Sequence, residues 1–465
     1  MTTPKILHLF SRQASSQVFD SAPKRNRLWL LLGLLGIAVT SATAGALVAV
    51  SLASTPLMQA KLTDEEAKVF GQADISNSPN FQLPELTRPV NILVMGIKVL
   101  TSDVATLPDD ARNLGYHALV NSFDGLSDTM LLLRFNPTDG QLVVLSIPRD
   151  TRTRIRGAGL TKINEANVYG GPALTAMTVS DLLGGVPIDR YVRINVQGVE
   201  KLIDALGGVK VFVPQDMKYQ DDSQHLYINL KQGEQHLNGN QALQFLRFRY
   251  DANGDIGRVQ RQQMLMRALM EQTLNPATIA RIPQILSVIQ ENVDTNLSVE
   301  ELVALVGFAS QVRRSNVQML MLPGNFSSPG EYTASYWLPS DRRIAMMTER
   351  YFSNDGALAI APAEVPGYVR VAVQDSTNDP EAVQRMLRSL RAAGYGDSYA
   401  DISWPEPLAV TRIIAQRGDA NTAEAIRQAL GVGEVRVEST GDLQSDITIQ
   451  LGQDWLSANP PAVTE

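Results

Sequence analysis

The sequence predicts an α/β protein, and three observations carry that reading. Short apolar runs, of the kind that form strands buried on both faces, alternate with helix-period segments as they do where helices cover a sheet. A stretch without charge precedes them, and a second alternation of strands and helices follows after a linker. The 465 residues are 44% hydrophobic and 19% charged, an ordinary globular composition with room for two or three cored domains. A net charge of −7 argues against a chain that coats nucleic acid, so no nucleic-acid partner is expected. With no cysteine, disulfides, thiol catalysis and Cys-ligated zinc are excluded.

Residues 1–27 form a basic tail ending in Lys24, Arg25 and Arg27, and residues 28–60 contain no Asp, Glu, Lys or Arg. Leu28 to Ala53 is apolar enough and long enough to span about 30 Å of hydrocarbon as a transmembrane helix. The positive flank leaves the N-terminus in the cytoplasm and the bulk of the chain outside, as a single-pass protein of the cytoplasmic membrane. A cleaved signal peptide is the alternative. Residues 54–89 read as a juxtamembrane linker. The main domain, 90–322, opens on strand candidates at Asn91 to Gly96, Thr129 to Phe135 and Gln141 to Ile147. Helical patterns follow at Asn164 to Tyr169, Leu174 to Leu183 and Gln197 to Leu206, the last closed by Gly207 and Gly208. Further strands are expected at Val209 to Val213 and Leu226 to Leu230, and helices at Ile279 to Gln290 and Val299 to Val312, the second begun by a Ser298/Glu301 capping box. A linker, 323–365, holds one helix at Asp341 to Phe352. Residues 366–455 read β-α-β-α-β-β as a small C-terminal domain, and 456–465 as a tail.

The densest chemistry lies in Arg247 to Gln263, where four arginines fall within 17 residues of an acidic protein. If Leu246 to Tyr250 is extended, Arg247 and Arg249 share one side of the strand. A helix begun near Asp255 puts Arg258, Gln262, Leu265 and Leu269 on one stripe, so the polar pair faces inward with apolar residues. Guanidinium forks beside a helix N-terminus suit a phosphate or pyrophosphate. The competing reading is a solvated, charged helix.

Ser146 to Thr151 ends a buried strand, where open α/β sheets place ligands. Pro148 stiffens that turn and Arg149 is its candidate functional residue, with Asp150 able to orient it; a structural Arg–Asp pair is the alternative. Lys162, Asn164 and Asn167 follow. Asp128 opens another strand and has the chemistry to hold a divalent metal or to activate a hydroxyl, although a lone Asp there also serves as a turn or cap residue. The four histidines form no metal-ligand spacing, and no nucleophile elbow is present.

Read in order, Asn91 to Gly96, Ser127 to Thr129, Ser146 to Thr151, Lys162 to Asn167, Ala205 to Val209, Leu237 to Leu243, Arg247 to Arg249 and Asp255 to Gln263 resemble the motifs of the LytR-CpsA-Psr family of membrane-anchored extracytoplasmic phosphotransferases. The residues after Pro366 resemble that family's LytR C-terminal domain. The resemblance implies a three-layer α/β catalytic domain that attaches polyprenyl-pyrophosphate-linked glycopolymers to peptidoglycan through a phosphodiester. It assigns Arg149, Arg247, Arg249, Arg258 and Gln262, with Lys162, to the pyrophosphate. It places the lipid tail in an apolar tunnel between sheet and helices, and Mg2+ at Asp128. Two positions depart from the pattern: Lys98 stands where a metal-binding carboxylate is expected, and Leu126 where an arginine is. Asp103 is then a further candidate metal ligand. Hydrolysis of the lipid pyrophosphate, or a non-catalytic scaffold that binds wall polymer or lipid, are the alternative functions.

Overall fold

Three apolar strands, β1 (Val90–Lys98), β2 (Leu126–Asn136) and β3 (Gln141–Ile147), form the centre of a mixed sheet. They pair antiparallel, Val90 opposite Phe135 and Met130 opposite Ile147. Alternation along them sends Leu93, Met95, Leu132 and Leu145 to one buried face and Ile92, Leu131, Leu142 and Val144 to the other. The computed structural model describes residues 57–77, 84–98, 123–222, 226–248, 254–273, 281–328, 330–353 and 364–460. The transmembrane span expected at 28–53 lies outside them, and no helix among the described residues is long and apolar enough to cross a membrane.

Beyond β3 the chain makes a small hairpin, β4 (Arg152–Ile155) and β5 (Gly159–Lys162), then helix α1 (Ala166–Leu182). The two helical patterns expected here are both present: Gly170 and Gly171, the latter at φ +60, have non-helical backbone and part α1 into two helical segments, and Pro172, which lacks an N–H, opens the second. Next come β6 (Arg190–Asn195), parallel to β1, and α2 (Val196–Leu206). Asn195 caps α2 by accepting from the Gly198 N–H at 2.7 Å, and Gly207 closes it at φ 90. Two antiparallel pairs, Val209–Val213 with Gly233–Leu237 and, between them in the chain, the hairpin of Met217–Asp221 with Leu226–Leu230, lead to α3 (Gly239–Arg247).

That helix corrects an expectation. Leu246 and Arg247 are helical, because an Asn238/Gln241 capping box starts a turn whose Ala242, Leu243 and Phe245 are buried; among the described residues of the expected strand, Phe248 alone is extended. Five alternating residues carry too little signal against a cap and an apolar stripe. The long helix α4 (Gly254–Thr273) follows, then a helix at Ile282–Asn292 where one was expected, β7 (Val293–Thr295), α5 (Val299–Gln311) with its Ser298/Glu301 capping box in place, and β8 (Val317–Met321), parallel to β3. A hairpin of Gly324–Phe326 with Trp337–Pro339 precedes α6 (Asp341–Phe352). Helices α1 and α6 cover one face of the sheet, and α4 and α5 the other, which gives three layers.

The C-terminal residues add β9 (Val371–Asp375), α7 (Pro380–Ala392), β10 (Ser398–Ala400), β11 (Arg412–Ala415), α8 (Ala420–Leu430), β12 (Glu434–Val437), β13 (Ile447–Leu451) and α9 (Gln453–Ala458). The order is β-α-β-β-α-β-β-α, richer by two elements than the sequence pattern suggested, because β10 and α9 are too short to show a period. Through one bridge, Gln318 opposite Val437, their sheet joins the first, in the order β7-β6-β1-β2-β3-β8-β12-β11-β13-β9-β10.

Two buried ion pairs fix β6 to its neighbours: Arg190 with Glu301 of α5 at 2.6 Å, and Arg193 with Asp294 of β7 at 2.5 Å. Arg193 also donates to the Phe123 carbonyl at 3.1 Å and to Asn167 Oδ1 at 3.2 Å, while Asn167 Nδ2 donates to Phe123 O and Gly125 O, so the entry to β2 is held from two sides. Asp294→Asn is expected to destabilise the protein by about 3–5 kcal/mol, since Arg193 would keep its burial and lose its counter-charge; a denaturant midpoint measures this.

Candidate functional site

The turn after β3 is built to hold Arg149 in place. Pro148 cannot donate to the sheet, and its carbonyl accepts from both the Thr151 N–H at 3.0 Å and the Thr151 hydroxyl at 2.6 Å. The Ile163 N–H donates to Thr151 O, and the Trp337 N–H donates to Asp150 O at 2.9 Å. Clamped in this way, Arg149 Nη1 donates to Asp128 Oδ1 at 3.0 Å and its Nε lies 3.4 Å from Asp150 Oδ2. Lys162, at the end of β5, donates to Asp150 Oδ1 at 2.8 Å. Arg258 acts on the same carboxylate through space. Burial pushes the Asp150 carboxyl up, but the Lys162 hydrogen bond and the charges of Arg149, Lys162 and Arg258 outweigh it and hold Asp150 below the usual carboxylate range.

Asp128 owes its position to an irregularity. Gly96 of β1 pairs with Thr129 and Ile97 with Ser127, so the register skips Asp128. A bulge of this kind re-aims a side chain, and here it presents the Asp128 carboxylate to Arg149. Asp128 is thus two residues inside its strand, where the sequence reading put it at the start. Beside it, Thr129 Oγ1 accepts from Gln262 Nε2 of α4 at 3.0 Å, which ties the helix to the sheet at the same spot. Thr129 was missed in the sequence, although strand alternation places it on the face that α4 covers.

The Arg-rich run divides. Arg258 is buried at 8% exposure and Gln262 is half-buried, both on the inner side of α4. Arg247 closes α3 and is half-buried. Arg249 and Asp103 lie outside the described residues, and so does the Lys98 side chain. Arg261, buried at 3% exposure, donates to the Phe248 carbonyl and stacks on the Phe248 ring at 5.8 Å, so it braces the end of α3.

The far side of α4 is gripped by the C-terminal segment. Gln260 Nε2 donates to Thr440 O at 3.2 Å and Gly441 O at 2.8 Å, Gln263 Oε1 accepts from the Ser439 N–H at 3.0 Å, and Arg267 pairs with the buried Glu438. Nothing in the sequence signalled this clamp, because it joins residues some 170 to 180 positions apart.

Among the described residues no three His, Cys, Asp or Glu side chains gather as a metal shell. Magnesium asks for less, because one or two carboxylates suffice when waters and substrate phosphate oxygens complete its octahedron. Asp128 is a hard oxygen donor at the edge of the cluster and fits that role.

Comparison with known proteins identifies the family of the chain. A family profile described as the LytR_cpsA_psr family matches residues 50–353, and one described as LytR cell envelope-related transcriptional attenuator matches residues 368–455. The chain is 32% identical over 283 residues to the polyisoprenyl-teichoic acid–peptidoglycan teichoic acid transferase TagV of Bacillus subtilis, covering 59% of this chain and 67% of that protein. It is 32% identical over 284 residues to TagU of Bacillus cereus, which carries the same activity name, covering 60% of this chain and 82% of that protein. The crystal structure of B. subtilis TagV aligns with a TM-score of 0.46 at 30% identity, covering 56% of this chain and 96% of that one.

Asp150 gives a pH signature. Its lowered carboxyl contributes stability that is fully present above its unfolded value, near pH 4, and is lost as pH falls through the folded value. An acid titration of stability is expected to show a shallower acid limb for Asp150→Asn, and for Lys162→Met a limb displaced to higher pH. Separately, Glu438→Gln is expected to lower the thermal midpoint by removing the buried charge opposite Arg267, while far-UV circular dichroism stays native.

Proposed function

Because this chain belongs to the LytR-CpsA-Psr family, we propose that it is a transferase that moves a glycopolymer from a polyprenyl-pyrophosphate carrier onto peptidoglycan. The observation that carries the reading is the convergence of Arg149 and Lys162 on one buried carboxylate, Asp150, beside Asp128, with the buried Arg258 acting on it through space. Phosphoryl transfer asks a protein mainly for positioning and for neutralisation of charge, and fixed guanidinium forks supply both.

In this reading the pyrophosphate lies across Arg149, Lys162 and Arg258, with Gln262, Arg247 and Arg249 completing its cradle. The oxygen of a peptidoglycan hydroxyl attacks the phosphorus that bears the glycan. A new P–O bond forms as the bridging P–O bond breaks, and the electron pair leaves with polyprenyl monophosphate. The hydroxyl proton passes to the Asp128 carboxylate, which the Arg149 hydrogen bond orients. Asp128 is also the residue that would hold magnesium, and the ion, when bound, supplies further neutralisation of phosphate charge. Val94, Leu133, Met266, Met270, Leu302 and Phe308 pack only partly buried against the core between the sheet and helices α4 and α5. An apolar surface in that place suits the prenyl chain. The basic flank and charge-free span of residues 24–53 suit a single-pass anchor that leaves the catalytic residues outside the cytoplasmic membrane.

The test is product analysis with a polyprenyl-pyrophosphate-linked glycan and peptidoglycan fragments. Polyprenyl phosphate release that depends on the acceptor, with glycan appearing on the fragments, is expected. Release of free glycan regardless of acceptor would mean hydrolysis instead. Arg149→Ala should lower kcat/KM about 10²–10³-fold, the scale of losing one fixed donor at a reacting centre; a folded variant with undiminished transfer would overturn its role.

A further inference from the structure

One surface beside the cradle has no part in holding the phosphates. The hairpin of Gly324–Phe326 with Trp337–Pro339 is hydrogen-bonded onto the turn that carries Arg149, through the Trp337 N–H to Asp150 O at 2.9 Å and a bridge between Thr151 and Trp337. Its tip carries two half-buried tyrosines, Tyr332 and Tyr336, edge to face with ring centroids 5.3 Å apart. The Arg152 guanidinium lies 4.7 Å from the Tyr332 centroid and 5.8 Å from the Tyr336 centroid. Lys162 Nζ lies 5.5 Å from the Tyr336 ring while it donates to Asp150. Neither phenol hydroxyl has a hydrogen-bond partner among the described residues, so both are available to a ligand.

We infer that Tyr332 and Tyr336, with Arg152 beside them, form a saccharide subsite that seats one sugar ring next to the reacting phosphate. The inference rests on the transferase reading above. A pyranose offers an apolar C–H face and a rim of hydroxyls, and an aromatic ring with a polar edge meets both: the face packs on the C–H groups, and phenol and guanidinium take the hydroxyls. Position favours a sugar over the lipid. Trp337 belongs to the core on the sheet face of Leu132 and Leu145, whereas the half-buried apolar surface of Met266 and Met270 belongs to the other face. A pyrophosphate in the cradle thus has a greasy side on one face of the sheet and an aromatic, cationic, hydroxyl-rich side on the other. The hairpin tip also bears Ser327, Ser328, Thr333 and Ser335, which suit a wet sugar and not a prenyl chain. The ring seated there comes from the carrier-linked glycan or from the peptidoglycan acceptor, two sources of one chemistry.

The experiment uses the full chain in detergent and measures KM separately for the carrier-linked glycan and for a soluble peptidoglycan fragment, in wild type and in Tyr332→Leu, Tyr336→Leu and the matching Phe variants. Leucine keeps bulk but removes the aromatic face; phenylalanine keeps the face. Each Leu variant is expected to raise one of the two KM values roughly tenfold, the order of one stacked aromatic face, and each Phe variant to restore most of it. A rise confined to the acceptor KM places the peptidoglycan sugar there; a rise confined to the donor, absent with a polyprenyl pyrophosphate that carries no sugar, places the glycan sugar there. Unchanged KM values, or a loss in kcat alone, would mean that the tyrosines merely brace the Arg149 turn and would overturn the proposal. Direct binding of the peptidoglycan fragment and of the free glycan, followed by saturation-transfer NMR, needs no turnover. Binding lost in the Leu variants while wild type shows no transfer would retain the subsite and reject the transferase reading.

Discussion

Asp150 is the group on which the rest of the site depends. Cations brought together out of water repel one another, and the repulsion grows as the surroundings lose polarity. Arg149, Lys162 and Arg258 stay gathered because a buried carboxylate sits among them, held ionised by the same cations it stabilises. The backbone of that residue is fixed just as firmly, by the Pro148–Thr151 turn on one side and the Trp337 N–H on the other. Three cations against Asp150 and Asp128 leave one positive charge in excess beyond the end of a central strand, a local cation in an acidic protein. An arrangement of that kind attracts a multiply charged anion without making the whole surface basic.

Helix α4 is the second constraint, and it explains why the C-terminal domain belongs to the same compact unit. Its residues serve four environments: Arg258 and Gln262 face Asp150 and Thr129, Met266 and Met270 the core under the sheet, Leu265 and Leu269 the hairpin module, and Gln260, Gln263 and Arg267 the 438–441 segment. A helix committed on every side has little freedom to rotate, so its arginine is positioned by packing far from the chemistry. The C-terminal domain therefore contributes to the geometry of the site without lending it a side chain. The sheet contributes in a different way, because its two faces separate the half-buried apolar surface of Met266 and Met270 from the core that holds Trp337.

Legibility in the sequence followed the range of the interactions. Strands β1 and β3, helices α2, α5 and α6 and the Ser298 capping box were readable because local pattern dictates them: apolar continuity, a cap residue, a closing glycine. Helix α3 was misread because five alternating residues around Arg247 say less than the capping box eight residues upstream. The cationic character of the site was also readable, since arginines at helix spacing and after a strand end are local features. Thr129, the bulge at Asp128, the bracing role of Arg261 and the 438–441 clamp were not, because each is decided by a partner distant in the chain.

The sequence by itself determined that this is an α/β chain with a basic-flanked apolar span, ordered motifs of one family and a local concentration of arginines. Only the tertiary structure decided which of those charges meet: that Arg149 and Lys162 share Asp150, that a skipped register turns Asp128 toward Arg149, and that Tyr332 and Tyr336 stand beside them. The physical reason is that a side chain's charge is set by its identity, whereas its neighbours are set by sheet register and by packing between segments whose separation in sequence carries no local signal.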